Sequence, residues 1–271
     1  MIGAVMAIEE INNKEAGQVE LLLPDTTILF EWAGSRGTQA GAMLKSIELV
    51  EHSFDKIGLD ALIGAGSSSR SETAHTVLNV FDIPMVSYAA TSPVLSDADL
   101  FPNFFRTVAS DTFQATAVVE FLDSLGYKGA CTFGTDLSLY SVKGASAFND
   151  AAKEKGMTVL GNFKTSDIAT TDEAEAVVKE MAESECRVVF AITSEQPFGM
   201  FARSAVKAGI MGQDTGWVYV ASDGVFGSFD DFSNLATQDG ATSDGTIIPA
   251  IGDLDATLKV TRRTTDTTSN Q

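Results

Sequence analysis

The stretch from Asp60 to Asp97, DALIGAGSSSRSETAHTVLNVFDIPMVSYAATSPVLSD, constrains the fold of this chain more than any other. Ala61, Leu62 and Ile63 form a short apolar run that stops at Gly64-Ala65-Gly66. Ser67, Ser68 and Ser69 then offer N-cap hydroxyls to a helix carrying Ala74, Val77, Leu78 and Phe81 at helical spacing. Ile83 to Tyr88 reads as the next strand. Two strands joined by a helix of this length run parallel with a right-handed crossover, so the loops after Ile63 and after Tyr88 leave the same edge of a sheet. That is the edge at which open α/β sheets bind ligands.

The chemistry on offer there is narrow. Backbone N–H groups at a helix start, with the hydroxyls of Ser67 to Ser69, suit a small anion such as a carboxylate or a phosphate. A P-loop would require Gly-Lys-Ser/Thr after the turn, where this chain has Ser69-Arg70-Ser71. A dinucleotide fingerprint starting at Gly64 would require glycine where Ser69 stands. Neither is spelled here. The same residues are also compatible with nothing more than a tight turn and a helix cap.

Three strings extend the pattern within residues 61–117: GAGSSS, then FDIPMVSYAATSPVLSD, then FPNFFRTVASDTFQA. They resemble the ligand-binding domain of class C G-protein-coupled receptors of the metabotropic glutamate and GABA-B type. Those belong to the wider receptor family that shares the type I periplasmic-binding-protein fold. Weaker similarity continues through Gly134 to Gly144, Arg187 to Ile192 and Ala221 to Gly224. The resemblance implies an α/β, two-lobed fold in which each lobe is a mostly parallel sheet with helices on both faces.

Composition agrees with a soluble globular chain, 44% hydrophobic over 271 residues, enough for one large domain or two lobes. The net charge of −19, from 37 acidic against 18 basic residues, disfavours nucleic acid and anionic membrane surfaces as partners. The two cysteines, Cys131 and Cys186, and the two histidines, His52 and His75, form no metal-ligand spacing. Both cysteines read as small buried thiols in or beside strands, and no metal or cofactor is expected. No run of about 20 apolar residues is present. MIGAVMAIEEIN at the start reads as an amphipathic helix and not as a signal peptide. Against the resemblance, the chain is expected to begin after the first strand of its first lobe, as a fragment would.

In chain order, Val19 to Leu23 and Thr27 to Trp32 have the length of strands, and Gln39 to Glu51 follows as a helix. Ser110-Asp111-Thr112 opens a helix carrying Ala115, Val118, Val119, Phe121 and Leu122. Strands are expected near Ala130 to Phe133, Thr158 to Phe163, Val188 to Ile192 and Trp217 to Val220. Helices near Val142 to Glu154, Asp172 to Glu183 and Phe198 to Ala208 separate them. The expected division is a first lobe over 1–113 and a second over 114–240. Residues 241–271 would hold a strand returning towards the first lobe, within Gly240 to Ile251, and a loose polar tail.

The resemblance implies an amino acid or related small carboxylate held between the lobes. By motif its carboxylate falls to Ser67, Ser68 and Ser69 and to Ala89 and Thr91 in the SYAATS string; its ammonium falls to Asp111, Tyr140 and Asp223. Carboxylates and a tyrosine ring are the right residue types for a cation, although Asp111 could equally cap a helix and Asp223 start a turn. Ala89 stands where glutamate receptors carry serine, and Ser228 where they carry arginine. The basic residues that would hold a glutamate side chain have no match. Arg70 and Arg106 read as structural.

The function expected is therefore an extracellular sensor of a membrane receptor, with its membrane part outside this sequence and a possible dimer through the first lobe. The alternative is a periplasmic solute-binding protein of an amino-acid transporter. An enzyme ranks last, because a Ser-His-Asp arrangement has little material here.

Overall fold

The computed structural model describes residues 2–13, 27–31, 33–54, 59–212, 215–225 and 257–259. They fall into two compact units, Met1–Leu59 and Asp60–Gln271.

The first unit holds α1 (Ile2–Asn13) and α2 (Gln39–Phe54). Residues 27–31, expected to be a strand, form none. Asn12 Nδ2 instead donates to the Ile28 carbonyl at 2.8 Å, and the Ile28 N–H donates to Asn12 Oδ1 at 2.7 Å. A side-chain amide presents a donor and an acceptor together, so it pairs one residue's backbone as a neighbouring strand would. The run Val19 to Leu23 lies outside the described residues.

The second unit contains two parallel sheets. The first is three-stranded, in the order β1 (Leu62–Ile63), β2 (Met85–Ser87), β3 (Phe104–Arg106). Its crossover helix α3 (Ser68–Leu78) buries Ala74, His75 and Leu78. His75 is structural: its Nε2 meets the Pro102 carbonyl, and its ring lies 5.3 Å from Phe101 and 6.2 Å from Phe104.

The second sheet is five-stranded, in the order β5 (Thr158–Thr165), β4 (Gly129–Thr135), β6 (Val188–Ile192), β7 (Val218–Ala221), β8 (Thr257–Lys259), all parallel. All five residues of β6, VVFAI, are buried, as a central parallel strand covered on both faces requires. Val188, Phe190 and Ile192 join α4 (Asp111–Ser124) and α5 (Leu139–Lys155) in one core. Val189 and Ala191 face the opposite core with α6 (Thr171–Glu183) and α7 (Glu195–Lys207). The result is a three-layer α/β/α sandwich of the periplasmic-binding-protein type. The segment 240–251 lies outside the described residues, and Thr257–Lys259, in the stretch expected to return towards the first lobe or remain loose, pairs with β7.

Both cysteines are buried, as the sequence reading has them, and the fold decides their oxidation state, which the sequence left open: Cys131 and Cys186 form a disulfide, with their Cα atoms 6.1 Å apart. Cys186 precedes β6 and Cys131 lies on the adjacent β4, both on the α6/α7 side of the sheet, so the fold brings two distant positions into bonding range.

Candidate functional site

Parallel strands send all their following loops to one sheet edge. The sequence-derived candidates all lie in the loops and helix starts that follow strands, in two sheets: Ser67 to Ser69 after β1, Ala89 and Thr91 after β2 and Asp111 after β3 in the first, Tyr140 after β4 and Asp223 after β7 in the second. Two clusters of contacts organise them.

The first cluster is the serine turn. Ser67 caps α3, its Oγ accepting the Arg70 N–H at 3.4 Å and the Arg70 Nε–H at 2.7 Å. Arg70 is thus tied back onto the turn, and the hydroxyl of Ser67 is engaged in capping. Ser68 is buried, and its Oγ accepts the Ser92 N–H at 3.1 Å, joining the helix start to the AATS loop. Arg106 reinforces that loop by donating to the carbonyls of Ala90 (3.3 Å) and Ser92 (2.9 Å) and to Ser96 Oγ. Ala89 and Ala90 direct their N–H groups at Ser87 Oγ, at 3.3 and 3.0 Å. Thr91 is buried, and its carbonyl accepts the Asp111 N–H at 2.8 Å.

The second cluster centres on Tyr140. Its hydroxyl lies 2.7 Å from Asp223 Oδ1, 2.8 Å from Ser222 Oγ and 3.0 Å from the Gly224 N–H that donates to it. A phenol has one proton, and a carboxylate is the strongest of these acceptors. The proton therefore goes to Asp223, and Ser222 donates to the phenol oxygen. Burial first, and then the negative charges of Asp223 and Asp111, hold the Tyr140 pKa well above its ordinary value. Both carboxylates thus act on one phenol.

The helix start also shows which residue does the capping. Ser110, not Asp111, caps α4, its Oγ accepting the Thr112 N–H. Asp111 is buried just inside the helix, and Asp223 begins a 3-10 turn over Asp223–Val225. Ser228 lies outside the described residues.

Three residues that sequence reading passed over belong to this edge. Ser222 and Ser92 are fully buried partners of Tyr140 and Ser68. Gly224 packs so closely that a Cβ there would sit 2.6 Å from the Thr193 carbonyl and 2.6 Å from Tyr140 Cε1. Ser222 directly follows β7, and Ser92 and Gly224 lie within five residues of a strand's carboxyl end, which is the signal that marks them.

Residues 1–269 match the family described as receptor family ligand binding region. The chain is similar to the extracellular calcium-sensing receptor of Homo sapiens, 27% identical over 233 residues covering 81% of this chain and 21% of that protein. It is also similar to taste receptor type 1 member 1 of Mus musculus, 30% identical over 234 residues, 80% of this chain and 26% of that one. A third relative is metabotropic glutamate receptor 4 of Mus musculus, 27% identical over 224 residues, 75% of this chain and 24% of that one. The chain thus spans about a fifth to a quarter of the length of these relatives. The relatives are class C G-protein-coupled receptors, not enzymes. Among the described residues no helix is long and apolar enough to cross a membrane.

Proposed function

The chain belongs to the receptor family of ligand-binding regions, and on that premise we propose that it senses a zwitterionic α-amino acid or a closely related small carboxylate. The observation that carries this reading is the bond between Asp223 and the Tyr140 hydroxyl, with the negative charge of Asp111 acting on the same phenol, on a helix whose first N–H is accepted by Ser69 of the serine turn. One cluster supplies helix-start N–H groups for a carboxylate, the other negative charge and an aromatic ring for an ammonium. A zwitterion complements both at once.

The ligand lies between two lobes, 1–113 and 114–240, whose closure transmits its presence to membrane parts of a longer receptor, with the sensor on the extracellular face. The packing of Ala115, Val118, Val119 and Leu122 of α4 into the second core supports a boundary at the start of that helix. A dimer through the first lobe belongs to the same reading. One relative is named for glutamate, but Ala89 and the lack of basic matches favour a ligand without a charged side chain.

The test is a calorimetric titration of the 271-residue chain with the common L-amino acids. Saturable binding of at least one, abolished by esterifying its carboxylate or acetylating its amine, is the expected result. No response to any amino acid would overturn the reading.

A further inference from the structure

We propose that Ser69 is a positioning residue that caps helix α5 from the other sheet and thereby sets where Tyr140 meets Asp223. Ser69 Oγ accepts the Leu139 N–H at 3.3 Å, across a sequence separation of 70 residues. Leu139 is the first residue of α5, so its N–H has no acceptor within its own helix. The neighbouring start of the helix is served locally: Ser138 Oγ accepts the Ser141 N–H, and the Ser138 N–H donates to Asp167 Oδ1 at 3.1 Å. Leu139 is thus supplied with an acceptor by α3, a helix of the first sheet.

The residues on either side give that bond its consequence. Tyr140 comes immediately after Leu139, and its hydroxyl holds Asp223. One residue before Ser69, Ser68 holds Ser92 of the AATS loop. A continuous path therefore runs Ser92, Ser68, Ser69, Leu139, Tyr140, Asp223, from the carboxylate-side cluster to the ammonium-side cluster. Helix α5 also packs against α3 and against the 3-10 turn Pro93–Ser96, so the path crosses a packed contact. In this role Ser69 does not hold the ligand; it registers the two clusters against each other. The inference rests on the zwitterion reading only for its consequence, since the bond itself can be probed without any ligand.

The test is site-resolved hydrogen–deuterium exchange of the full chain without ligand. Ser69→Ala is expected to speed exchange of the Leu139 amide about fivefold, as loss of one ordinary hydrogen bond would. The Val142 amide, bonded to the Ser138 carbonyl at 2.9 Å, and the β6 amides are expected to be unchanged. Because Ala can loosen packing, Ser69→Thr and Ser69→Val form an isosteric pair: Thr should restore protection and Val should not. Equal Leu139 exchange in Thr and Val variants would overturn the proposal. In a second arm L-alanine, which presents little beyond its two charged groups, should bind Ser69→Val more weakly than Ser69→Thr. If the wild-type chain binds no amino acid while the exchange pattern holds, the zwitterion reading fails and the capping role stands. If L-alanine binds but exchange is indifferent to the hydroxyl, the reverse is true.

Discussion

The Tyr140 hydroxyl and Asp223 Oδ1 lie 2.7 Å apart, joining the start of α5 to the turn after β7 across 83 residues of chain. The contact orients the carboxylate and places an aromatic ring beside it. On the proposed reading, Asp223→Ala removes the carboxylate that pairs with a ligand ammonium and should cost ~2–5 kcal/mol of binding. Tyr140→Phe keeps the ring and removes the orienting proton, so its loss should be smaller, ~1–3 kcal/mol. Calorimetry on both variants checks the order; a larger loss for Tyr140→Phe would contradict it.

Arg70→Ala is the matched control. The guanidinium is bound to Ser67 Oγ within its own helix cap, so amino-acid affinity should change by less than ~1 kcal/mol. Loss of binding in this variant, with Asp223→Ala intact, would mean that the site takes a multiply charged anion.

Gly224 is constrained by contact. An added Cβ would meet both the Thr193 carbonyl and the Tyr140 ring at 2.6 Å. Gly224→Ala should therefore destabilise the fold by ~1–3 kcal/mol through overpacking and should weaken ligand binding by displacing the phenol. Thermal unfolding and titration of the same sample read both effects.

The Cys131–Cys186 disulfide closes a separation of 55 residues. Loop entropy gives about 4 kcal/mol for a closure of this size. The double variant Cys131→Ala/Cys186→Ala should unfold at a markedly lower denaturant concentration. Both cysteines are fully buried, so mild reductant should act on the native protein only slowly.

Alkaline pH supplies a further check. Burial raises the pKa of Tyr219, and burial with two neighbouring carboxylates raises that of Tyr140. A raised phenol pKa means that the folded state favours the neutral form. The stabilisation is fully present below about 10, the ordinary phenol value, and is lost as pH rises from there towards the raised values. Stability should fall as pH rises above about 10, and less steeply in Tyr140→Phe. An unchanged slope in that variant would contradict the assignment.

Much of this architecture is written locally. The run VVFAI is β6 over the same five residues, and the helix starts at Ser67 and Ser110 follow from hydroxyls whose partners lie within three residues. Hydrophobic periodicity and caps are short-range, so a single sequence displays them. The motif residues also all follow the carboxyl ends of strands, in both sheets, because that is where parallel strands place the segments that come after them.

Tertiary structure alone decided how those residues are used. Asn12 satisfies the backbone of Ile28 from 16 residues away and replaces an expected strand. Cys131 meets Cys186 only because β4 lies beside β6. The Tyr140 proton is committed to Asp223, the Ser67 hydroxyl to Arg70 and the Ser69 hydroxyl to Leu139. Residue type states what a side chain can donate or accept. Which partner it meets depends on the stacking of sheets and helices, which no local pattern encodes.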